Sequence, residues 1–307
     1  MRDTCPDSAS RPPRPRRPRH GRALLLPQAR RTQALRHTQR MPGVRLTAGA
    51  DLRLPAGALR IKVGADGTVS ADPLVPQLRT DMWPQWLLEA VGAAQIARDS
   101  AAEVARLAAL SDRDEEALDL ALGSELRGSM RAITASAFAV DAFYASAKSR
   151  SPAHPNQDAW RANQTPRYAQ VFETLRYHLK LKPPGANQIR DRVEELFRFR
   201  DWAVHPGSRF REPVYRSDID SGVDWHFAVF RGDNGVAAVA NTTSMMDALV
   251  ATLPRGPEEL RQSYPAARRA MTAVLESYDG ASLPSFDRAT ANAGGSEQRP
   301  TPDEPAR

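Results

Sequence analysis

Apolar residues recur at intervals of three and four through the middle of the chain, a pattern that predicts amphipathic helices. The clearest begins near Asp114, where acidic residues fill the first turn, and carries Leu118, Leu122, Leu126, Met130, Ile133, Ala137, Val140 and Tyr144. Its small residues, such as Gly128 and Ser129, should let a neighbouring helix approach closely. The other helices are predicted at 83–110, 166–181, 187–205, 243–253 and 257–278.

Two short segments alternate between apolar and polar residues, as strands do. Residues 59–63 alternate before the turn 64–67, which predicts a small hairpin closing at 68–70. Trp225, Phe227 and Val229 alternate before the Gly-rich segment 232–235, and Val236, Ala238 and Ala240 alternate after it. This second pattern predicts a hairpin at about 223–240.

The pattern as a whole predicts a mainly α fold, an antiparallel helical bundle with a small β-hairpin appendage. We expect the bundle to span residues 83–280 and a short β or irregular segment to span 46–82. Residues 1–45 are rich in Arg and Pro and residues 281–307 are polar, so we expect both tails to be disordered.

Composition excludes several classes of protein. Cys5 is the single cysteine among 307 residues, so a disulfide scaffold and a cysteine-based zinc site are excluded. No apolar run approaches the roughly 20 residues of a membrane helix, so we expect a soluble, cytoplasmic protein without membrane contact. No Gly-rich phosphate loop and no metal-ligand spacing of His residues occurs, so we predict no cofactor and no metal.

The net charge of +7 belongs to the N-terminal tail. Of 43 basic and 36 acidic side chains, 12 and 2 lie in residues 1–45, which leaves 31 and 34 for the rest. An arginine-rich arm can bind a polyanion through phosphate contacts. Two alternative interpretations of this tail are a targeting or linker role and a stretch translated upstream of a true start at Met41.

The residues that suggest chemistry lie at the end of the helix predicted at 187–205. Its apolar stripe is Ile189, Val193, Leu196, Phe197 and Val204, and Arg200 lies in the middle of that stripe. A guanidinium there needs a partner, an interface or a ligand. Asp201 and His205 are four residues apart, so the carboxylate can orient the imidazole. A cation, a carboxylate and an imidazole together at one helix terminus suit phosphate-ester chemistry.

The segment Arg200-Asp201-x-x-x-His205 resembles the signature of the HEPN superfamily of small helical bundles, with Asp201 where Asn is more common. The segment Ala135–Tyr144 is similar to the Ala-rich early helix of such domains, and the resemblance covers about residues 84–206. It implies a metal-independent endoribonuclease in which two protomers bring their motifs together. Arg200 would bind the scissile phosphate, His205 would act as acid or base, and Asp201 would orient them.

The resemblance also implies biological partners. Such proteins often belong to toxin–antitoxin or phage-defence systems, so RNA, a second copy of the chain and an antitoxin-like protein are the expected partners. Arg209, Arg211 and Tyr215 follow the motif and could extend an RNA-contacting surface. A solvated loop is the alternative, because Glu212, Asp218 and Asp220 offset their charge.

A second function class uses the same fold. The chain could be a catalytically silent helical module that dimerises or binds another protein. Arg200 would then pair with an internal carboxylate such as Asp141, or lie in an interface, and His205 would only cap its helix. Loss of His205 separates the two hypotheses, since it abolishes cleavage under the first and leaves dimerisation intact under the second.

Overall fold

The computed structural model describes residues 50–54, 60–72, 77–205 and 211–286. These residues form a mainly α-helical fold with three two-stranded antiparallel sheets, which confirms the predicted fold class. The helices are α1 (Trp83–Ala108), α2 (Glu115–Ser149), α3 (Gln157–Ala162), α4 (Arg167–Leu179), α5 (Gly185–Val204), α6 (Trp225–Val229), α7 (Gly232–Thr252) and α8 (Glu258–Gly280). A 3-10 turn, Leu253–Arg255, joins the last two.

Local sequence explains where several helices begin and end. Helix α2 starts where predicted, and the side chain of Asp114 caps it by accepting a hydrogen bond from the backbone N–H of Ala117 at 3.0 Å. The helix predicted at 187–205 begins two residues earlier, after Pro184. Lys180 ends α4 in a left-handed conformation, with φ of 53°.

The two longest helices, α1 and α2, run antiparallel to each other. Trp83 packs edge-on against Phe143 at 5.8 Å between ring centroids, and the Ser100 hydroxyl donates to Ser124 Oγ at 2.9 Å. At Gly128, a Cβ atom would lie only 2.9 Å from the backbone nitrogen of Ala97. The close approach expected at the small residues of α2 is therefore present, and glycine is needed for it.

Helices α4, α5, α7 and α8 complete the bundle around α2. The largest buried cluster joins residues of these helices, and includes Phe143, Val171, Leu175, Val193, Phe197, Met246, Leu249 and Met271. Helix α7 packs against both α1 and α2, and α5 packs against α2 and α4. Helix α5, which carries the candidate motif, thus has its buried face fixed by the core.

The strands lie outside the bundle. β1 (Ala50–Arg53) pairs with β4 (Gln77–Thr80), and β2 (Ile61–Val63) pairs with β3 (Val69–Ala71). The small hairpin expected at 59–70 is therefore confirmed, with a shift of one or two residues. β5 (Val214–Arg216) pairs with β6 (Ser221–Val223) and forms a hairpin between α5 and α6.

The hairpin predicted at about 223–240 is wrong. The structure forms the hairpin about ten residues earlier, at 214–223, and folds 225–229 and 232–252 as α6 and α7. Among the alternating residues Val236, Ala238 and Ala240, only Val236 belongs to the buried helical stripe, which continues with Val239, Thr243, Met246 and Val250 at intervals of three and four. Helix α7 begins at Gly232, whose N–H donates to the buried carboxylate of Glu125 at 2.8 Å. That acceptor comes from α2, so the local sequence does not reveal it.

The prediction that the chain is disordered from residue 281 onward is wrong for residues 281–286. Residues 281–286 pack on the bundle, because the Arg98 guanidinium donates to the carbonyl oxygens of Ala281 and Ser282, each at 2.8 Å. The Tyr278 hydroxyl donates to the Pro284 carbonyl at 2.7 Å, and Phe286 contacts the Tyr278 ring edge-on. The predictions for residues 1–45 and 287–307 lie outside the described residues.

One helical stretch of the described residues, Gly232–Arg255, is long and apolar enough to cross a membrane, with a mean hydropathy of 1.3. Half of its most apolar window is buried inside the fold. Buried core helices also meet such a test of length and composition. The expectations of a cytoplasmic protein without membrane contact stay predictions.

Candidate functional site

The predicted motif residue Arg200 lies in an open groove between α4 and α5, with a volume of about 390 Å³. Its side chain is 22% exposed, and its guanidinium carbon lies 4.6 Å from the centre of the Phe197 ring. One face of the guanidinium therefore lies against the Phe197 ring, and the rest of the group faces the groove. The residue expected at an apolar position is thus held at the border between core and solvent.

The carboxylate partner of Arg200 is its neighbour in sequence. Asp201 Oδ1 accepts from Arg200 Nε at 3.0 Å and from Nη2 at 2.6 Å, and the Asp201 side chain is 54% exposed. The alternative pairing with Asp141 is wrong, because Asp141 accepts from Arg167 Nη2 at 2.7 Å. An exposed ion pair of this kind contributes little to stability and leaves the guanidinium accessible.

His205 lies at the C-cap position of α5, where its backbone N–H donates to the Asp201 carbonyl at 2.8 Å. Its side chain is exposed and makes no hydrogen bond to the described residues. The structure thus brings Arg200 and Asp201 together but does not show the expected bond from the Asp201 carboxylate to the imidazole. Val204, expected on the apolar stripe, is 53% exposed.

The lesser candidates after the motif have separate surroundings. Arg209 lies outside the described residues. The guanidinium of Arg211 lies 4.5 Å above the Trp225 ring. Tyr215 is 65% exposed, and its hydroxyl donates to Asp220 at 2.5 Å. This hydrogen bond, with the charge of Asp220, raises the pKa of Tyr215.

An aromatic cluster that the sequence analysis did not predict lies beside the end of α5. Trp202 contacts Phe199 at 5.2 Å and Trp225 at 6.1 Å between ring centroids, both in edge-on geometry. The guanidinium of Arg198 lies 5.5 Å above the Trp202 ring. The cluster therefore links the motif helix to α6, which follows the β5–β6 hairpin.

A second cluster is a buried network of charges under the β5–β6 hairpin. Arg216 is 3% exposed and Glu125 is 2% exposed, and their side chains pair at 3.0 Å. Arg216 also donates to both oxygens of Asp218 and to the Phe227 carbonyl. Its hydrogen bonds to these carboxylates raise the pKa of Arg216 against the opposing effect of burial. Because every group has a partner, we assign this network to the fold.

The structure also brings together two histidines that are far apart in the sequence. His154 stacks on Trp160 at 4.4 Å and contacts His178 at 6.3 Å between ring centroids. His178 is buried, and its Nε2 atom has no hydrogen-bond partner. Burial lowers the pKa of both imidazoles, and the neighbouring His154 lowers that of His178 further. In the part of the chain that the structure describes, no three potential metal ligands lie together.

The fold and site together define a helical bundle with an accessible arginine–carboxylate pair and an exposed histidine at the end of one helix. Comparison of the chain with protein-family models, with curated proteins and with solved structures finds no match in any of the three. The geometry of these residues and the resemblance of the motif are therefore what indicates a function.

Proposed function

We propose that the protein cleaves RNA without a metal ion, at the groove between α4 and α5. The observation that carries this proposal is the position of the Arg200 guanidinium. It borders the groove and pairs with the exposed Asp201 rather than with a core carboxylate. An arginine fork in such a position matches the geometry of a phosphodiester and neutralises charge that develops on its oxygens. The HEPN-like spacing of Arg200, Asp201 and His205 gives the reaction class.

The reaction is an internal transesterification. The 2′-oxygen of a ribose forms a bond to the adjacent phosphorus, and the bond from phosphorus to the 5′-oxygen of the next nucleotide breaks. The 2′-proton passes to a base, and the 5′-oxygen receives a proton from an acid. The products are a 2′,3′-cyclic phosphate and a 5′-hydroxyl. His205 is exposed at the end of α5 and is available for one of these proton transfers.

The test is cleavage of labelled single-stranded RNA and tRNA in EDTA by the full chain and by Arg200→Ala and His205→Ala. We expect cyclic phosphate ends, and a loss of about 100-fold or more in each variant, as for the removal of a donor to a developing oxyanion or of a general acid. Arg190→Ala is the matched control, since it removes an exposed arginine from the opposite end of the same helix.

Arg200→Ala should also keep its fold, because the lost ion pair is exposed and worth at most about 1 kcal/mol. A thermal melt checks this point. Full cleavage by Arg200→Ala would contradict the proposal, and so would activity that disappears in EDTA.

A second candidate function is the catalytically silent interaction module. The exposed Trp202 and Val204, at 37% and 53%, favour it, since large apolar side chains at one helix end suit an interface. Sedimentation of the wild type and of Trp202→Ser tests this alternative. A dimer that is inert toward RNA and that dissociates in the variant would replace the nuclease hypothesis.

A further inference from the structure

A histidine paired with a carboxylate lies beside the end of α5. Asp224 Oδ1 accepts from the backbone N–H of His226 at 2.9 Å and lies 2.5 Å from Nδ1 of the same imidazole. The Trp225 ring lies 3.9 Å from the imidazole, and Phe230 lies nearly parallel to it at 6.3 Å. Two aromatic rings and a carboxylate therefore hold the His226 ring in one orientation.

The other ring nitrogen of His226 is free to accept a proton. When Nδ1–H donates to Asp224, the neutral ring carries its lone pair on Nε2. Nε2 has no hydrogen-bond partner among the described residues, and it is not fully buried. The His226 side chain is 23% exposed, so Nε2 is open to solvent and to a ligand. No carboxylate of the described residues, by contrast, orients the His205 ring.

The charge around this pair supports that assignment. The backbone N–H of His226 is the main cause that lowers the pKa of Asp224, and the imidazole and Arg211 lower it further. Asp224 is therefore ionised at neutral pH and holds the proton on Nδ1. The guanidinium of Arg211 lies above the Trp225 ring, next to the imidazole, and offers a second positive charge to a phosphate.

The His226 pair lies near the proposed cleavage site. Trp202 lies in the last turn of α5, and His205 is the residue that follows this helix. The Trp202 ring lies 6.1 Å from the ring of Trp225, the residue directly before His226. The contact between the end of α5 and the start of α6 therefore brings the exposed His205 and the partly exposed His226 to the same part of the surface.

We propose that His226 is the general base of the RNA cleavage proposed above, that His205 is the general acid, and that both belong to one chain. This inference rests on the proposed function and extends it. Nε2 of His226 takes the 2′-proton as the bond between the 2′-oxygen and phosphorus forms. The His205 imidazolium gives its proton to the 5′-oxygen as the bond from that oxygen to phosphorus breaks, and water restores both rings. Asp224 is a positioning residue, and a second protomer is not needed for the proton transfers.

The experiment separates the two proton transfers with two substrates. One is RNA, whose 5′-oxygen needs a proton to leave, and the other is uridine 3′-(p-nitrophenyl phosphate), whose p-nitrophenolate leaves without one. His205→Ala and His226→Phe should each lose about 100-fold or more on RNA. On the activated ester His205→Ala should stay within a few-fold of the wild type, whereas His226→Phe should still lose about 100-fold.

His226→Phe keeps a ring between Trp225 and Phe230, and His226→Gln repeats the test if that variant does not fold. Arg190→Ala serves again as the control. Full activity of both His226 variants, beside a wild type that cleaves and depends on His205, would overturn this inference and leave the proposed function intact. A reversed pattern on the activated ester would overturn the assignment of roles. A wild type that cleaves neither substrate would overturn both proposals.

Discussion

Helix α2 packs closely against α1 and α7 through small residues, whereas α4 and α5 leave an open groove between them. A Cβ atom at Gly128 would lie 2.9 Å from the Ala97 nitrogen, and one at Gly235 would lie 2.9 Å from Ser129 Oγ. On the other side of the bundle, α4 and α5 enclose the groove of about 390 Å³ at Arg200. The contacts of α2 with α1 and α7 leave no space for a ligand, whereas the groove between α4 and α5 exposes polar groups to one.

The polar groups of these two regions also differ in burial and in hydrogen bonding. Under the β5–β6 hairpin, Glu125 and Arg216 are buried with every hydrogen bond made, and the network ties α2 to the start of α7. On α4, His178 is buried with an unpartnered nitrogen, and on α5 the pair of Arg200 and Asp201 is exposed. Buried ions stabilise a fold only when all their partners are present. The first network therefore supports the fold, and the exposed pair is available for chemistry.

The largest expected effect comes from breaking the buried network. Arg216→Met leaves Glu125 buried without its cation, so we expect the free energy of unfolding to fall by about 3–5 kcal/mol. Urea denaturation measures the change. Arg261→Ala is the control, because its ion pair with Glu258 is exposed and should cost less than about 1 kcal/mol. A loss no larger than that of the control would show that the network contributes nothing to the fold.

A smaller effect tests the close contact of α1 and α2. Gly128→Ala places a methyl group against the Ala97 backbone, and overpacking of about 1–3 kcal/mol should exceed the helix-propensity gain of up to about 1 kcal/mol. Gly92→Ala, on the exposed side of α1, meets no atom within 4 Å and should stabilise the protein by that gain. Opposite signs in paired thermal melts are the expected result. Equal gains in both variants would mean that the helices separate freely.

The smallest effect concerns His178 and appears only in acid. Burial lowers the pKa of His178 and His154 below the unfolded value near 6.5, so the folded state binds fewer protons. Stability should therefore be complete above pH 6.5, decline as the pH falls below that value, and level off below the folded pKa values, where the folded state also binds the protons. Glu173 opposes this shift at His154, and Arg176 adds to it.

Urea midpoints of the wild type and His178→Leu between pH 8 and pH 5 measure this decline. The leucine variant should lose less stability in acid, since it has no nitrogen to protonate, and the carboxylates contribute equally to both proteins. Parallel curves for the two proteins would show that the pKa of His178 is the same in the folded and unfolded states.

Much of the helical fold could be predicted from the sequence, because the signals for α1, α2, α4, α5 and α8 are local. Their apolar stripes repeat with the helical period, and Asp114 caps α2 from its own sequence position. The same periodicity predicts Arg200 in the middle of the apolar stripe, and the structure holds it at the border between core and solvent. Its pairing with Asp201 instead of Asp141 depends on the approach of Arg167 from α4, which no local pattern indicates.

The amphipathic helices, the fold class and the position of Arg200 on an apolar stripe follow from the sequence alone. Tertiary packing sets the start of α7 at Gly232 rather than near residue 243, since the acceptor at Gly232 is Glu125, 107 residues away. Tertiary packing also brings Trp202 to Trp225 and so places His226 near the end of α5. Helical periodicity depends on neighbours within a few residues, whereas buried ion pairs and aromatic contacts form between distant segments once the core has packed.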